Sequence, residues 1–267
     1  MQVKILGCGN SVGVPVIGCD CDICISCDLK DKRTRSSAFL KTSKSKVLID
    51  ASPDIRLQSI KHGISELDAV FLTHIHFDHV CGVHDLPAFC ATKNFDDPVL
   101  PIYTDSFTAL ELKKIAAYLF SSKKVGSAQW KRRYLDLKIV EYYKTFDVAG
   151  ESFFIFPQEH GNINCSGIIV NESFAYCTDV RIIPDQMVKK MRSLNLDLLV
   201  IECFTHKSAP SHTSFNQALD YIEKIRPKQA LFTHMSHKIK YADLAQRLST
   251  LGIKNVMPSY DGLCVDI

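Results

Sequence analysis

The 267-residue sequence contains no uninterrupted apolar run near the ~18 residues that a membrane-spanning helix needs. Its first residues, MQVKILGCGN, lack a basic segment followed by a long apolar stretch, so no export signal is visible. No internal repeat, low-complexity tract or Gly/Ser/Pro linker marks a boundary. Neither sign of charge dominates: 32 Lys+Arg oppose 29 Asp+Glu for a net charge of +3. Apart from short clusters such as Lys131-Arg132-Arg133 and Lys189-Lys190, the basic residues are scattered, so charge neither implies nor excludes nucleic acid. These absences predict a soluble cytoplasmic protein with no membrane partner.

What is present is a large apolar fraction, 46%, enough to fill a substantial core. The eleven cysteines are an odd number, and without an export signal they read as reduced thiols, some of them serving metal. Short apolar or alternating runs read as strands at Val3–Leu6, Val47–Ile49, Ala69–Leu72, Val99–Tyr103, Phe153–Phe156, Ile168–Val170, Leu198–Ile201 and Ala230–Phe232. Helical spacing is clearest over Ser214–Ile225, where Phe215, Leu219, Ile222 and Ile225 share a face and Pro227 closes the segment. Ser106–Tyr118, Asp185–Leu194 and Tyr241–Leu251 are further helix candidates. The mixture predicts one α/β (α+β) domain over residues 1–267. The basic, aromatic stretch Lys123–Tyr143 reads as a solvated face or a strand pair across the surface.

The chemistry concentrates in Thr73-His74-Ile75-His76-Phe77-Asp78-His79, directly after an apolar strand. Polar residues leaving a strand end enter a loop held by a rigid scaffold, where sites are commonly built. His74 and His76 are two apart, so in extended backbone they point the same way and can grip one cation. Asp78 and His79, where the chain turns, can face a second. Four ligand-type residues in six positions have no explanation in core packing. His160, Asp179 and His234 each follow a predicted strand as well, and residues at the ends of different strands converge on one sheet edge.

The THIHFDH stretch resembles the H-x-H-x-D-H signature of the metallo-β-lactamase superfamily, and His160, Asp179 and His234 follow in that superfamily's order. The resemblance implies a four-layer αββα sandwich with a binuclear site at one edge. Carried over, His74, His76 and His160 would hold one metal, Asp78, His79 and His234 the other, and Asp179 would bridge them. A bridging Asp resembles the phosphodiesterase and ribonuclease branches. Carboxylate plus imidazole suits Zn²⁺, Mn²⁺ or Fe²⁺, so two such divalent metals are expected.

A second cluster, Gly18-Cys19-Asp20-Cys21-Asp22-Ile23-Cys24, places three thiols within six residues, a spacing that lets a loop wrap one tetrahedral ion. The fourth ligand is either nearby Cys27, within a Cys-rich loop over 18–27, or a distant His. His237, three residues after His234, can turn the other way. The pattern resembles the PhnP-type cyclic phosphodiesterases of the carbon-phosphorus lyase pathway. That resemblance implies a structural zinc on Cys19, Cys21, Cys24 and His237, a homodimer, and an enzyme that opens a small cyclic phosphate ester of the ribosyl or 2′,3′-cyclic nucleotide type. A water activated between the two metals would be the nucleophile.

Two further motifs bear on the site. Gly7-Cys8-Gly9-Asn10-Ser11-Val12-Gly13 misses the G-x-G-x-x-G spacing by one residue and precedes no convincing crossover helix, so it reads as a tight turn near the metal edge and not as a nucleotide cradle. His212 lies just ahead of the Ser214–Ile225 helix, whose first N–H groups favour an anion. By resemblance, His212 would contact the substrate phosphate and protonate the leaving oxygen, while Asp78 orients the water. His62, His84 and His206 have no such context.

The rival readings are a tRNA 3′-processing-type endoribonuclease, a thioester or lactone hydrolase, and a non-catalytic thiol metal-binding or redox-sensing module. The first needs an RNA-gripping arm, for which Lys123–Arg133 is the only candidate. The complete metal ligand set argues against the last.

Overall fold

The computed structural model describes residues 1–91, 99–120, 134–207 and 209–267. Its strands are β1 (Gln2–Gly7), β2 (Ser37–Lys41), β3 (Lys46–Ile49), β4 (Ala69–Phe71), β5 (Leu100–Thr104), β6 (Leu135–Ile139), β7 (Thr145–Val148), β8 (Glu151–His160), β9 (Ile163–Val170), β10 (Phe174–Cys177), β11 (Leu198–Glu202), β12 (Gln229–Thr233), β13 (Val256–Pro258) and β14 (Cys264–Asp266). The helices are α1 (Ile55–His62), α2 (Phe77–Val80), α3 (Pro87–Ala91), α4 (Ser106–Ile115), α5 (Asp185–Leu194), α6 (Phe215–Ile225) and α7 (Tyr241–Thr250).

The strands form two seven-stranded sheets, ordered β14-β1-β2-β3-β4-β5-β6 and β13-β12-β11-β10-β9-β8-β7. Alternation along the strands explains why the sheets are layered. Val47, Ile49, Ala69 and Phe71 point into the core between the sheets, whereas Leu48, Val70 and Leu72 join a second core with Ile55 of α1 and Leu112 of α4. Met191, Phe215, Ile222 and Leu244 of α5, α6 and α7 extend the first core. A sheet buried on both faces must be covered by helices, which produces the expected αββα sandwich.

Each sheet is half antiparallel and half parallel. In the first, β3, β4, β5 and β6 run parallel; in the second, β10, β11, β12 and β13 do. Parallel strands deliver all their carboxyl ends to one side, where open α/β sheets place their sites. Asp50 follows β3, His74 lies just past β4, Asp179 just past β10, Glu202 ends β11 and His234 follows β12. His160 arrives differently, at the tip of the long β8–β9 hairpin, whose two-residue turn is set by Gly161 at φ 58°.

The predicted strands and helices are present with shifts of a few residues at their ends. Helix α6 starts one residue later than its predicted span because Ser214 is its N-cap, in a capping box with Gln217. Of the stretch Lys123–Tyr143, residues 123–133 lie outside the described residues; the rest supplies β6 at the sheet edge and Tyr142. No helix among the described residues is long and apolar enough to cross a membrane.

The Gly7–Gly13 turn runs against the same edge, with Gly9 bridging both Arg35 and Met235. A β-carbon on Gly7 would stand 2.1 Å from the Arg35 carbonyl oxygen, a backbone atom that cannot swing aside. Gly7→Ala should therefore destabilise the fold by on the order of 2 kcal/mol in chemical denaturation. A variant as stable as the parent would show that this backbone yields.

Candidate metal centre

Three imidazoles, His74, His76 and His160, bring ligand atoms together, and Asp78, His79, Asp179 and His234 form a second group beside them. Asp179 joins the two: its Oδ1 lies 3.6 Å from His160 Nε2 and 3.3 Å from His234 Nε2, and its Oδ2 lies 3.0 Å from His79 Nε2. Asp78 Oδ2 is 3.2 Å from His79 Nε2 and 3.5 Å from His234 Nε2. All seven residues named from the sequence converge, and His62, His84 and His206 belong to neither group.

A layer of acceptors behind the imidazoles sets which ring nitrogen faces inward. Thr73 gives its hydroxyl hydrogen to Asp50, so its oxygen accepts from His74 Nδ1 at 3.0 Å. His79 Nδ1 donates to Asp50 at 2.7 Å, His234 Nδ1 to Glu202 at 2.9 Å and His160 Nδ1 to the Ser211 carbonyl at 2.9 Å. In each ring the other nitrogen, Nε2, is left as the inward ligand atom. His74 Nε2 and His79 Nε2 are buried without an acceptable hydrogen bond, the latter despite its short distance to Asp179. Orphaned buried nitrogens gathered with other ligand atoms are what a cation site presents, so the donor set fits divalent metals.

The electrostatics agree. Burial alone would raise the Asp179 carboxyl, yet His234 and His79 overcome it and hold the group well below the carboxylate range. Burial likewise opposes a proton on His234, but Asp179, Asp78 and Glu202 outweigh it and lift that ring to about 10. Protons and cations compete for the same ring nitrogens, so cation affinity at this site rises with pH. Three residues of the arrangement, Asp50, Asp179 and His234, have positive φ angles of 63°, 47° and 53°. Non-glycine residues held there cost on the order of 1–3 kcal/mol each, a strain found where geometry serves function.

Asp50 and Glu202 were not among the residues named from the sequence. Both carboxylates are wholly buried. Glu202 accepts four hydrogen bonds, from His212 Nδ1 at 2.6 Å, His234 Nδ1 at 2.9 Å and the N–H groups of Val180 and Thr213 at 2.9 and 3.0 Å. The strand-end rule that selected Asp179 and His234 would have found both: Asp50 follows the Val47–Ile49 run and Glu202 the Leu198–Ile201 run.

His212 stacks on Phe204 with ring centroids 4.4 Å apart and shares the Glu202 carboxylate with His234. It faces a cleft of about 350 Å³ also lined by Ser11, His76, Asp78, His160 and Asp179. Ser11 brings the glycine turn to the metal edge, as expected.

The thiol cluster forms separately. The sulfurs of Cys19, Cys21 and Cys24 lie 3.4, 3.6 and 3.6 Å from His237 Nδ1. Metal–sulfur bonds of ~2.3 Å and metal–nitrogen bonds of ~2.0–2.1 Å at tetrahedral angles require sulfur–nitrogen edges of about 3.6 Å. The four residues therefore fit a closed zinc site, while Cys27 is exposed and outside the group. His234 and His237 face opposite ways from one loop, which wholly buried Arg33 pins by donating to the carbonyls of Ser236 and Ile239 at 3.1 and 2.7 Å. Arg33 is paired with Asp31 at 3.3 Å, and Asp31 accepts from Ser26 of the Cys-rich loop and from the Tyr241 N–H.

A family model described as "Beta-lactamase superfamily domain" matches residues 45–235. A curated relative, an octanoyltransferase of Porphyromonas gingivalis, is 33% identical over 98% of this chain; the chain spans only 51% of that relative's length. Among solved structures, a new diphosphatase from the PhnP family superposes with a TM-score of 0.89 at 30% identity, covering 100% of this chain and 97% of that one. Human tRNase Z, short form, is similar in fold, with a TM-score of 0.66 at 17% identity, covering 100% and 99%.

The backbone N–H of Cys24, followed by the neighbouring thiols, pulls the Cys21 thiol down to about 6. Thiolate forms above that value, so in chelator-treated protein Cys21 alkylation by iodoacetamide should rise with a midpoint near pH 6, well before an ordinary thiol at about 8.5. Added zinc should suppress it. A midpoint above pH 8 would contradict the geometry.

Proposed function

This chain belongs to the metallo-β-lactamase superfamily and to its PhnP branch, and we propose that it is a binuclear phosphodiesterase opening a small cyclic phosphate ester. The observation that carries the reading is the position of Asp179, whose two oxygens reach toward both imidazole groups beside a cleft that His212 also faces.

In this reading His74, His76 and His160 hold one divalent metal, Asp78, His79 and His234 the other, and Asp179 both. Zn²⁺, Mn²⁺ and Fe²⁺ all suit these donors. Cys19, Cys21, Cys24 and His237 hold a structural Zn²⁺. When bound, the metal pair supplies Lewis acidity toward a phosphoryl oxygen and acidifies water. The protein supplies the rest. Asp78, at the cleft wall, accepts from the attacking water and orients it. Glu202 fixes His212 by its Nδ1, which leaves Nε2 to donate a proton to the departing oxygen. Burial would raise the Glu202 carboxyl, but the hydrogen bonds from His212 and His234 prevail and hold it below the usual range, so it stays an acceptor that fixes the His212 ring. In a five-membered cyclic phosphate the departing oxygen remains tethered, so one positioned acid serves the whole ring opening.

The name of the Porphyromonas gingivalis relative favours a second reading, hydrolysis of an acyl thioester, although about half of that protein lies outside the match. The endoribonuclease reading depends on an arm at Lys123–Arg133, outside the described residues.

Bis(p-nitrophenyl) phosphate should be hydrolysed, and Asp179→Ala should leave below about 1% of that rate. His212→Ala should slow alkoxide-leaving phosphodiesters about 10²- to 10⁴-fold, but p-nitrophenolate, which needs no acid, less than about tenfold. Cleavage of octanoyl thioesters without any phosphodiester turnover would reverse the ranking of the two readings. Elemental analysis should find about three metals per chain. His237→Ser should lose one of them and melt lower, whereas Cys27→Ser should keep all; loss of an ion from the Cys27 variant instead would overturn the assignment.

A further inference from the structure

Residues 31–33 supply no metal ligand, yet their side chains tie together the two loops that carry the thiol cluster. Lys32 Nζ donates to the Cys24 carbonyl at 2.9 Å. Asp31 Oδ2 accepts from Ser26 Oγ at 2.9 Å, just past Cys24, and its Oδ1 accepts from the Tyr241 N–H at 2.8 Å, just past Ile239. Arg33 crosses to the other loop and donates to the carbonyls of Ser236 and Ile239, which flank His237.

The guanidinium of Arg33 depends on these few acceptors. The residue is 2% exposed, its Nε has no hydrogen-bond partner, and wholly buried Asp31 is its only ion-pair partner among the described residues. A buried cation is costly once its anion turns away, so Arg33, Asp31 and the two carbonyls keep their places together. Contacts therefore run from Cys24 through Ser26, Asp31 and Arg33 to Ser236, and return to the thiols at His237, whose Nδ1 lies 3.6 Å from Cys24 Sγ. Closing that ring at the thiols fixes the loop that begins at His234.

Metal ligation tolerates displacements of only about 0.2 Å, so the freedom left to this loop decides how well His234 meets a cation beside Asp78 and Asp179. The other imidazole group stands apart. His74 is backed by the Thr73 hydroxyl and His160 by the Ser211 carbonyl, hydrogen bonds that involve neither residues 31–33 nor residues 235–239. We propose that Asp31 and Arg33 are positioning residues that couple the two metal centres: an ion at the thiol cluster raises cation affinity at the position of Asp78, His79 and His234, and leaves the position of His74, His76 and His160 unchanged. By linkage the effect is reciprocal. It rests on the binuclear ligand assignment of the proposed function, not on the substrate.

The test is equilibrium dialysis of Mn²⁺ against chelator-treated protein, with the thiol cluster empty or refilled with one equivalent of Zn²⁺. Thiols select zinc, whereas imidazole and carboxylate accept Mn²⁺, and protection of Cys21 from iodoacetamide in a separate aliquot reports the refilling. Each Mn²⁺ position is read alone: His76→Ala leaves the one at Asp78, His79 and His234, and Asp78→Ala leaves the other. Zinc at the thiols should tighten Mn²⁺ binding at least about tenfold in His76→Ala and less than about twofold in Asp78→Ala. Adding Ser26→Ala, at a half-buried position, to His76→Ala should leave the melting temperature near that of His76→Ala and cut the factor below about threefold. Arg33→Lys, which keeps the charge but not the planar fork, should do the same to the factor; if that variant does not fold, Ser26→Ala decides alone. A merely structural role would lower melting and weaken both positions alike. Equal Mn²⁺ affinity with and without zinc would overturn the coupling, as would equal tightening at both positions, which is general stabilisation. A tenfold factor that survives Ser26→Ala overturns the route through Asp31 and Arg33. Absence of bound Mn²⁺ in the parent overturns the ligand assignment as well, whereas Mn²⁺ bound without coupling leaves that assignment standing.

Discussion

Two carboxylates, Asp78 and Asp179, are buried at the floor of the cleft with imidazole nitrogens 3.0 to 3.6 Å away, and the charge of that arrangement governs what surrounds it. Buried anions persist only where they are compensated. Each imidazole that compensates them needs its remote nitrogen occupied, which places Asp50 behind His79 and Glu202 behind His234. Those two carboxylates need donors in turn, and backbone N–H groups at the strand ends supply them: Thr73 for Asp50, Val180 and Thr213 for Glu202. The left-handed backbone at Asp50, Asp179 and His234 turns these side chains toward the centre, and the doubly covered sheets provide the packing that holds the strain.

The same constraint links the two metal-ligating clusters. His234 and His237 leave one short loop in opposite directions, so any shift of that loop moves a ligand at each. Arg33, wholly buried, grips the loop through two carbonyls, and its partner Asp31 grips the Cys-rich loop through Ser26. An ion held by the thiol cluster would thereby stiffen the segment that presents His234. The imidazoles and carboxylates stand on strand ends, and the thiol cluster, remote from their cleft, is built on the same loop as His234.

Much of this was legible beforehand. Asp185–Leu194 is legible to the residue because a two-sided pattern runs its whole length, and the central strands are legible because a strand buried on both faces is a near-continuous apolar run. Helix α1 was missed because it buries Gln58 and Ser59 while exposing Leu57 and Ile60, so it has no apolar stripe to read. Strands β13 and β14, three residues each, are too short to show a period. Asp50 and Glu202 escaped notice as single acidic residues after apolar runs, a pattern carrying no signal until the parallel order of the strands is known.

The sequence by itself determined the donor chemistry: which imidazoles, carboxylates and thiols exist, and which local spacings let neighbours such as His74 and His76 act together. Those properties depend on residue type and on backbone periodicity within a few positions. Only the tertiary structure decided which ring nitrogen faces inward, that Cys27 stays outside the thiol cluster, and that Glu202 serves His212 and His234 at once. These depend on strand order and on hydrogen-bond partners tens to hundreds of residues away, where a few tenths of an ångström separate a ligand from a neighbour.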